Sequence, residues 1–434
     1  MSVRTSPPEG LSDQMATQAP RCLRLLVVAP FPPRHDNRHG GRVLAQLLEH
    51  LVARHEVGVV HLARDDEAAM DSELVARCAF VQTVRLHSRW RLGPRWRSRA
   101  RVVESLLTGR PTAVVAVHSR SLGRLVRSVA DRWQPDVVQL EGDVVADCAF
   151  PLDGCRAATM LVIHDPGLPT ASEMVAATRG RQRLAHRLDA AAWRRYWGRL
   201  LPRFQAVVTL TEDDAQAVVA AVPGVTPVAI PLGIEIPPAP LDPVGSGASS
   251  VVFVGGYAHT PNIDAALRLL RSIMPSVRVR VPGVKLMIVG DNPSDEMRAA
   301  AGAHDEITGR VPAVAPYLDR AAVVALPIRL GGGMRVKLLE ALAAGKAVVA
   351  SPVAAAGLAA HDGHVLRIAD SDEDFTTAIT ELIADDQARI NLGHGARRWA
   401  ESHLSWSSRR ARYEEVYFAL LDITRERTES ITRR

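Results

Sequence analysis

Two successive runs of short apolar strands alternating with helices, divided by a single proline-rich break, limit this chain to very few architectures. The first run opens with LRLLVVA at Leu23 to Ala29, stopped by Pro30, the pattern of a strand buried on both faces. A helix follows from Gly40-Gly41, because Val43, Leu44, Leu47, Leu48 and Leu51 recur at helical spacing. Further strands are expected at Val57 to Leu62, Asp136 to Leu140, Thr159 to Ile163 and Ala206 to Leu210. The composition then changes to PPAPLDPVGSGASS, which supports no regular element and reads as a linker over 236–250. Beyond it, strands are expected at Val251 to Val254, Lys285 to Val289, Ala322 to Leu326 and Ala347 to Ala350. Strand and helix in alternation predict a parallel sheet covered on both faces, so the expected fold class is α/β with two doubly wound domains.

Length agrees, since 434 residues exceed what one core organises. The expected division is a disordered tail over 1–20, a first domain over 21–235, the linker, a second domain over 251–405, and a C-terminal helix over 406–434 that returns to the first domain. The first twenty residues contain no apolar core of a signal peptide, and no apolar run reaches the roughly 18 to 20 residues that span a bilayer. Four cysteines form no CxxC pair and no ligand spacing with histidine, so neither a disulfide framework nor a metal site is expected, and a reducing cytoplasm fits best. A formal charge of +6 permits an anionic partner without choosing one. No period of 20 to 50 residues stands out, which argues against a solenoid.

The segment Pro327 to Ser351, PIRLGGGMRVKLLEALAAGKAVVAS, carries the most chemistry. A strand ends, three glycines follow, and an amphipathic helix begins. Gly331, Gly332 and Gly333 let backbone N–H groups approach a ligand, and the helix start adds partial positive charge, which together make an anion site. Lys337 in the first turn and Glu340 three residues on project from one helix face. A cation for phosphate beside a carboxylate for ribose hydroxyls suits a sugar nucleotide. Of 53 basic residues only Lys285, Lys337 and Lys346 are lysines, so a compact ammonium has been kept here where arginine is otherwise the rule. The plainer reading makes Arg335 and Lys337 solvated first-turn residues and Glu340 a surface acid.

Two other segments have competing readings. Arg85 to Arg101, RLHSRWRLGPRWRSRAR, holds seven arginines and two tryptophans with no acid. It suits either an anionic membrane surface or a solvated basic loop. Nucleic acid fits less well, because no accompanying signature of a nucleic-acid-binding fold is present. Asp370-Ser371-Asp372 has the form of a metal-nucleotide motif, but it precedes Phe375, Ile379, Leu382 and Ile383 at helical spacing and reads better as a helix cap.

Taken in order, the motifs resemble the retaining glycosyltransferases of family 4. They are the opening strand with Gly40-Gly41, HDPGLP from His164, VVTLTEDD from Val207, IPLGIE from Ile230, FVGGYAHTPNIDA from Phe253, LMIVGDNP from Leu286, the GGGMRVKLLEALAAGKAVV segment, and LSWSSRRARYEEVY from Leu404. The resemblance covers nearly the whole chain and implies the GT-B architecture, two Rossmann-like domains facing across a cleft, with an acceptor domain first and a donor domain second. It implies a nucleoside-diphosphate sugar as donor substrate, no cofactor, no metal, and a glycan, lipid-linked or small-molecule acceptor. Glu340 resembles the residue that binds the donor ribose, Lys337 and Arg335 those that meet the diphosphate, and His164 the cleft histidine at the donor sugar. A His-Asp-Pro sequence after a strand is also a common simple turn. Gly40, Gly41, Gly255, Gly256, Met334 and Leu338 complete the expected donor-binding set with the three loop glycines.

The chain departs from the commonest family pattern in two places. That pattern has a second glutamate eight residues before Glu340, where this sequence has Gly332, and an acid often follows a tyrosine like Tyr196, where this sequence has Trp197-Gly198. A nucleotide-sugar epimerase of the same fold, or a catalytically weak sugar-nucleotide-binding protein, are the alternatives. The absence of a Gly-x-Gly-x-x-Gly after either opening strand argues against a nicotinamide dehydrogenase. The expected location is cytoplasmic, with peripheral contact at the inner membrane face through 85–101.

Overall fold

A computed structural model describes residues 21–35, 40–65, 67–86, 94–164, 166–245, 249–330, 335–358 and 362–432. The expected tail, the loop residues Gly331, Gly332, Gly333 and Met334, and residues 87–93 of the basic stretch lie outside the described residues.

The first domain is built on β1 (Arg24–Ala29), β2 (Glu56–Arg64), β3 (Phe80–Leu86), β4 (Val137–Glu141), β5 (Ala158–Ile163), β6 (Ala206–Thr209) and β7 (Val228–Ala229). They pair in the order β3-β2-β1-β4-β5-β6-β7, every pair parallel. Alternation along β1 sends Leu25, Val27 and Ala29 into one core and Leu26 and Val28 into another, on opposite faces of the sheet. The second domain contains β8 (Ser250–Val254), β9 (Lys285–Val289), β10 (Asp305–Ile307), β11 (Val323–Leu326), β12 (Val348–Ala350) and β13 (Arg367–Ile368), ordered β10-β9-β8-β11-β12-β13 and again all parallel. In each sheet the order reverses beside the first strand of the domain, which opens a crevice at the carboxyl ends of the strands.

Strand positions expected from apolar runs agree with the structure to within a residue or two. The four strands that carry no such signal, β3, β7, β10 and β13, lie at or next to sheet edges. β3 alternates half-buried and exposed residues instead of forming an apolar run, and its last two residues, Arg85 and Leu86, belong to the stretch read from composition as a basic segment.

Residues 236–245 form no regular element yet lie against the second domain. Leu241 donates its backbone N–H to Ala344 at 2.9 Å, and the fully buried Lys346 ammonium caps the Asp242 carbonyl and that of Asp319 at 3.3 Å. The chain crosses back near Ser405, where Ile234 bridges Ser405 and donates its backbone N–H to the Leu404 carbonyl at 2.9 Å. Helix Trp406–Thr432 then packs on the first domain. Trp406 donates its indole N–H to Gln46 at 3.1 Å and stacks on His50, and Glu414 approaches His55 at 3.3 Å.

The Asp370 to Asp372 segment is a helix start. Ser371 and Asp374 form a reciprocal capping box, and Asp372 pairs with Arg268 at 2.5 Å. All four cysteines are free.

Candidate active site

The expected site residues that lie among the described residues sit at the carboxyl ends of parallel strands or on the helices that follow them. In the first domain, Gly40 and Gly41 open the helix Gly40–Val52 that follows β1, Glu141 ends β4, and His164 follows β5 directly. In the second, Gly255 and Gly256 follow β8, Gly290 follows β9, and helix Val336–Ala343 follows β11. The two edges face each other and touch, because Arg42 in the first domain pairs with Glu340 in the second. Close packing of Gly357 against Thr211, where an added Cβ would lie 2.5 Å from the threonine methyl, is a further contact between the halves.

Lys337 sits in the first turn of its helix with its ammonium 5.1 Å above the centre of the Phe253 ring and donating to Asn262 Oδ1. Desolvation, followed by the neighbouring Arg335, pushes this ammonium down to about 7, and among the described residues no carboxylate pairs with it. Asn262 is buried and donates from its other side to the Gly256 carbonyl at 2.8 Å. The glycine turn after β8 is thus tied to the lysine through one amide, a link sequence reasoning did not single out although PN stands in the quoted FVGGYAHTPNIDA. Gly290 is a second omission. Its φ of +139° and the 1.8 Å that would separate an added Cβ from the Gly255 carbonyl oxygen leave room for glycine alone, so it sets how closely the two turns approach.

Arg335 donates to the Leu330 carbonyl at 3.4 Å, so the described residues that flank 331–334 are bonded to each other. Leu338 is fully buried and holds the helix against the core instead of facing the cleft. Lys337 and Glu340 share one helix but reach different partners, Asn262 within their own domain and Arg42 from the opposite one.

On the opposite wall, His164 directs Nε2 at Glu141 Oε2, with the histidine side chain 17% exposed and the glutamate fully buried. The turn after it is fixed by Asp143, whose Oδ2 accepts from Gly167 N and from Trp197 Nε1, each at 3.1 Å. Trp197, where an acid stands in many proteins of the resembled family, is therefore a buried brace for this turn. An added Cβ on Gly167 would meet the Trp193 ring at 2.2 Å, so the helix that follows His164 can start this close only from glycine.

Residues 248–385 match the family model described as Glycosyl transferases group 1. Over 202 residues the chain is 32% identical to the phosphatidyl-myo-inositol mannosyltransferase of Mycolicibacterium smegmatis, covering 44% of this chain and 51% of the relative. Over 164 residues it is 32% identical to the GDP-mannose-dependent alpha-(1-6)-phosphatidylinositol monomannoside mannosyltransferase of the same organism, covering 34% and 43%. The aligned part thus spans about half the length of these relatives or less. Among solved structures, sucrose-phosphate synthase of Thermosynechococcus elongatus superposes with a TM-score of 0.66 at 16% identity over 92% of this chain and 100% of that one. HepE of Anabaena, in complex with UDP and glucose, gives 0.63 at 14% identity over 92% and 100%. The architecture is accordingly GT-B, two parallel-sheet α/β domains with the candidate site residues at their strand ends, and the second domain carries the group 1 glycosyltransferase match. The second domain is thus similar to group 1 glycosyltransferases, and the chain as a whole shares its fold with GT-B glycosyltransferases.

Proposed function

We propose that this protein transfers a sugar from a nucleoside-diphosphate sugar to an acceptor at the first domain, with retention of anomeric configuration. The observation that carries this reading is Lys337, an ammonium partly buried at a helix start, oriented by Asn262 and without a carboxylate partner among the described residues. Such a group is costly without an anion and favourable with one. A departing diphosphate accumulates negative charge as the bond to the anomeric carbon breaks, and fixed cations stabilise that charge without rearranging. Lys337 and Arg335 supply these cations in the proposal, so no metal is needed for the role. Glu340 is assigned to the ribose hydroxyls, and Gly40, Gly41, Gly255 and Gly256 to backbone approach from the two sides. His164 is assigned to the donor sugar.

The relatives' names favour a guanosine-diphosphate sugar and a phosphoinositide-type lipid acceptor as the first candidates. A lipid acceptor is supported by helix Pro94–Thr108, where Val103, Leu106 and Leu107 are 55%, 59% and 82% exposed. Its end leads to Thr112, bonded to Asp189 beside the exposed Leu188. Apolar side chains next to arginines suit the headgroup region of an anionic membrane, and no helix of the described residues is long and apolar enough to cross one.

A panel of sugar nucleotides tested by thermal shift identifies the donor, since a ligand bound only by the folded state raises the melting temperature. NMR of the product's anomeric proton then reports configuration. An inverted product, or no response to any sugar nucleotide, overturns the proposal; a 2-epimerised sugar nucleotide without acceptor supports the epimerase instead.

A further inference from the structure

The sheet face of the first domain that packs against the C-terminal helix is apolar over Leu25, Val27, Val137, Met160 and Val162, yet β4 places Gln139 and Glu141 on that same face. Both are at most 1% exposed, and they are two residues apart on a strand, so they point the same way. Buried polar groups in such a setting cost free energy unless paired, and replacing them by residues like their neighbours is often neutral or stabilising.

Their pairing has a fixed direction. Tyr417, fully buried on the C-terminal helix, donates its hydroxyl proton to Gln139 Oε1, which leaves the Gln139 amide to donate to Glu141 Oε1. The second carboxylate oxygen, Oε2, faces His164 Nε2. An ionised carboxylate only accepts, so the proton of that last bond belongs to the imidazole. The chain runs from a helix that has crossed back from the second domain to the histidine on the cleft wall.

We propose that Glu141 is the positioning residue for His164, holding the imidazole with its proton on Nε2, and that Gln139 and Tyr417 brace Glu141 so that the C-terminal helix orients the cleft histidine. The inference deepens the proposed function, because the role of His164 in transfer rests on that reading; the hydrogen-bonded chain itself does not. A buried carboxylate fixes the tautomer and the ring angle of the histidine it accepts from, as it does behind metal-bound and catalytic histidines. Turning the ring away costs the bond and leaves a buried charge unpaired. His164 is therefore set before substrate arrives.

The test uses the full chain, isotopically labelled at histidine, with Glu141→Gln, Tyr417→Phe and His164→Ala. Imidazole nitrogen spectra assigned through His164→Ala should show a protonated Nε2 in the wild type, displaced in Glu141→Gln and displaced less in Tyr417→Phe. In transfer assays, Glu141→Gln should lower kcat about tenfold while the donor KM changes less than about twofold, and Tyr417→Phe should give a smaller loss in the same sense. In a His164→Ala background, Glu141→Gln should produce no further loss. A full additional loss in that background, or an unchanged His164 spectrum in Glu141→Gln, overturns the inference. Should Glu141→Gln not fold, the isosteric Tyr417→Phe decides by the same spectra. A wild type that binds no sugar nucleotide and transfers nothing refutes the proposed function, while the nitrogen spectra still decide the positioning.

Discussion

Arg42, two residues into the first helix of one domain, forms an ion pair with Glu340, one turn into the helix after β11 of the other. The guanidinium side chain is 37% exposed and the carboxylate 26%, so the pair is reachable from the cleft. Glu340 is also the carboxylate assigned to the donor ribose. One acceptor group thus has two claimants, an arginine from the opposite wall and a ligand hydroxyl.

Competition of this kind has a definite sign. A partly exposed ion pair contributes about 0.2–1 kcal/mol, so Arg42→Ala should scarcely change the melting temperature. Freed from that partner, Glu340 should bind donor nucleotide a few-fold more tightly, whereas Glu340→Ala should weaken it by about tenfold or more through loss of charge-assisted hydrogen bonds. Calorimetric titration of both variants checks the pair; weaker binding in Arg42→Ala would mean that the arginine is itself a ligand contact.

Lys337 predicts a pH dependence. Its ammonium is pushed down to about 7 from an ordinary value of 10.5, so between those limits the unfolded chain binds more protons than the folded one. This group's contribution to stability therefore rises with pH across that window, and its full cost is present below it. A diphosphate favours the charged form, so donor binding should take up a proton above pH 7 and weaken as pH rises further. Isothermal titration in buffers of different ionisation heat measures the uptake. Lys337→Met should abolish it, remove donor binding, and raise the melting temperature at neutral pH.

Lys346 should behave in the opposite manner. Fully buried, it donates to the Asp242 and Asp319 carbonyls and fastens the 236–245 segment to the second domain. Lys346→Ala strands those carbonyls and opens space, which should cost about 2–4 kcal/mol of stability. The melting-temperature rise caused by donor should survive unchanged, since nothing of the cleft is touched; chemical denaturation with and without nucleotide separates the two effects.

Gly290→Ala is expected to keep the fold and lose the site. An added Cβ would lie 1.8 Å from the Gly255 carbonyl oxygen at a backbone angle that disfavours side chains, so the Gly255-Gly256 turn must shift. Asn262 is bonded to that turn and to Lys337, so the displacement reaches the ammonium. Donor affinity should fall by about tenfold or more, as expected when positioning is lost by an ångström. Equal affinity in wild type and variant would detach this turn from the donor site.

Much of the frame was readable because its causes are local. β1, β4, β5, β8, β9 and β11 are strands buried on both faces and appear as apolar runs in the chain. An edge strand such as β3 has only half-buried and exposed residues and carries no run. Lys337, Glu340 and His164 were legible because each follows a strand end, where parallel sheets collect their ligands. Gln139 and Glu141 were not, because within VVQLE they look like the polar half of an ordinary strand.

Two α/β units, a proline-rich joint and a lysine at a glycine-led helix start were legible along the chain, since periodicity, backbone restriction and residue choice act over a few residues at a time. Which polar groups meet was settled by the assembled fold. Arg42 reaches Glu340 across 298 positions because two domains close on one another, and Tyr417 reaches Gln139 across 278 because the last helix crosses back. Contacts at such separations depend on how whole sheets and helices pack, and packing is a property of the assembled core, which no local pattern encodes.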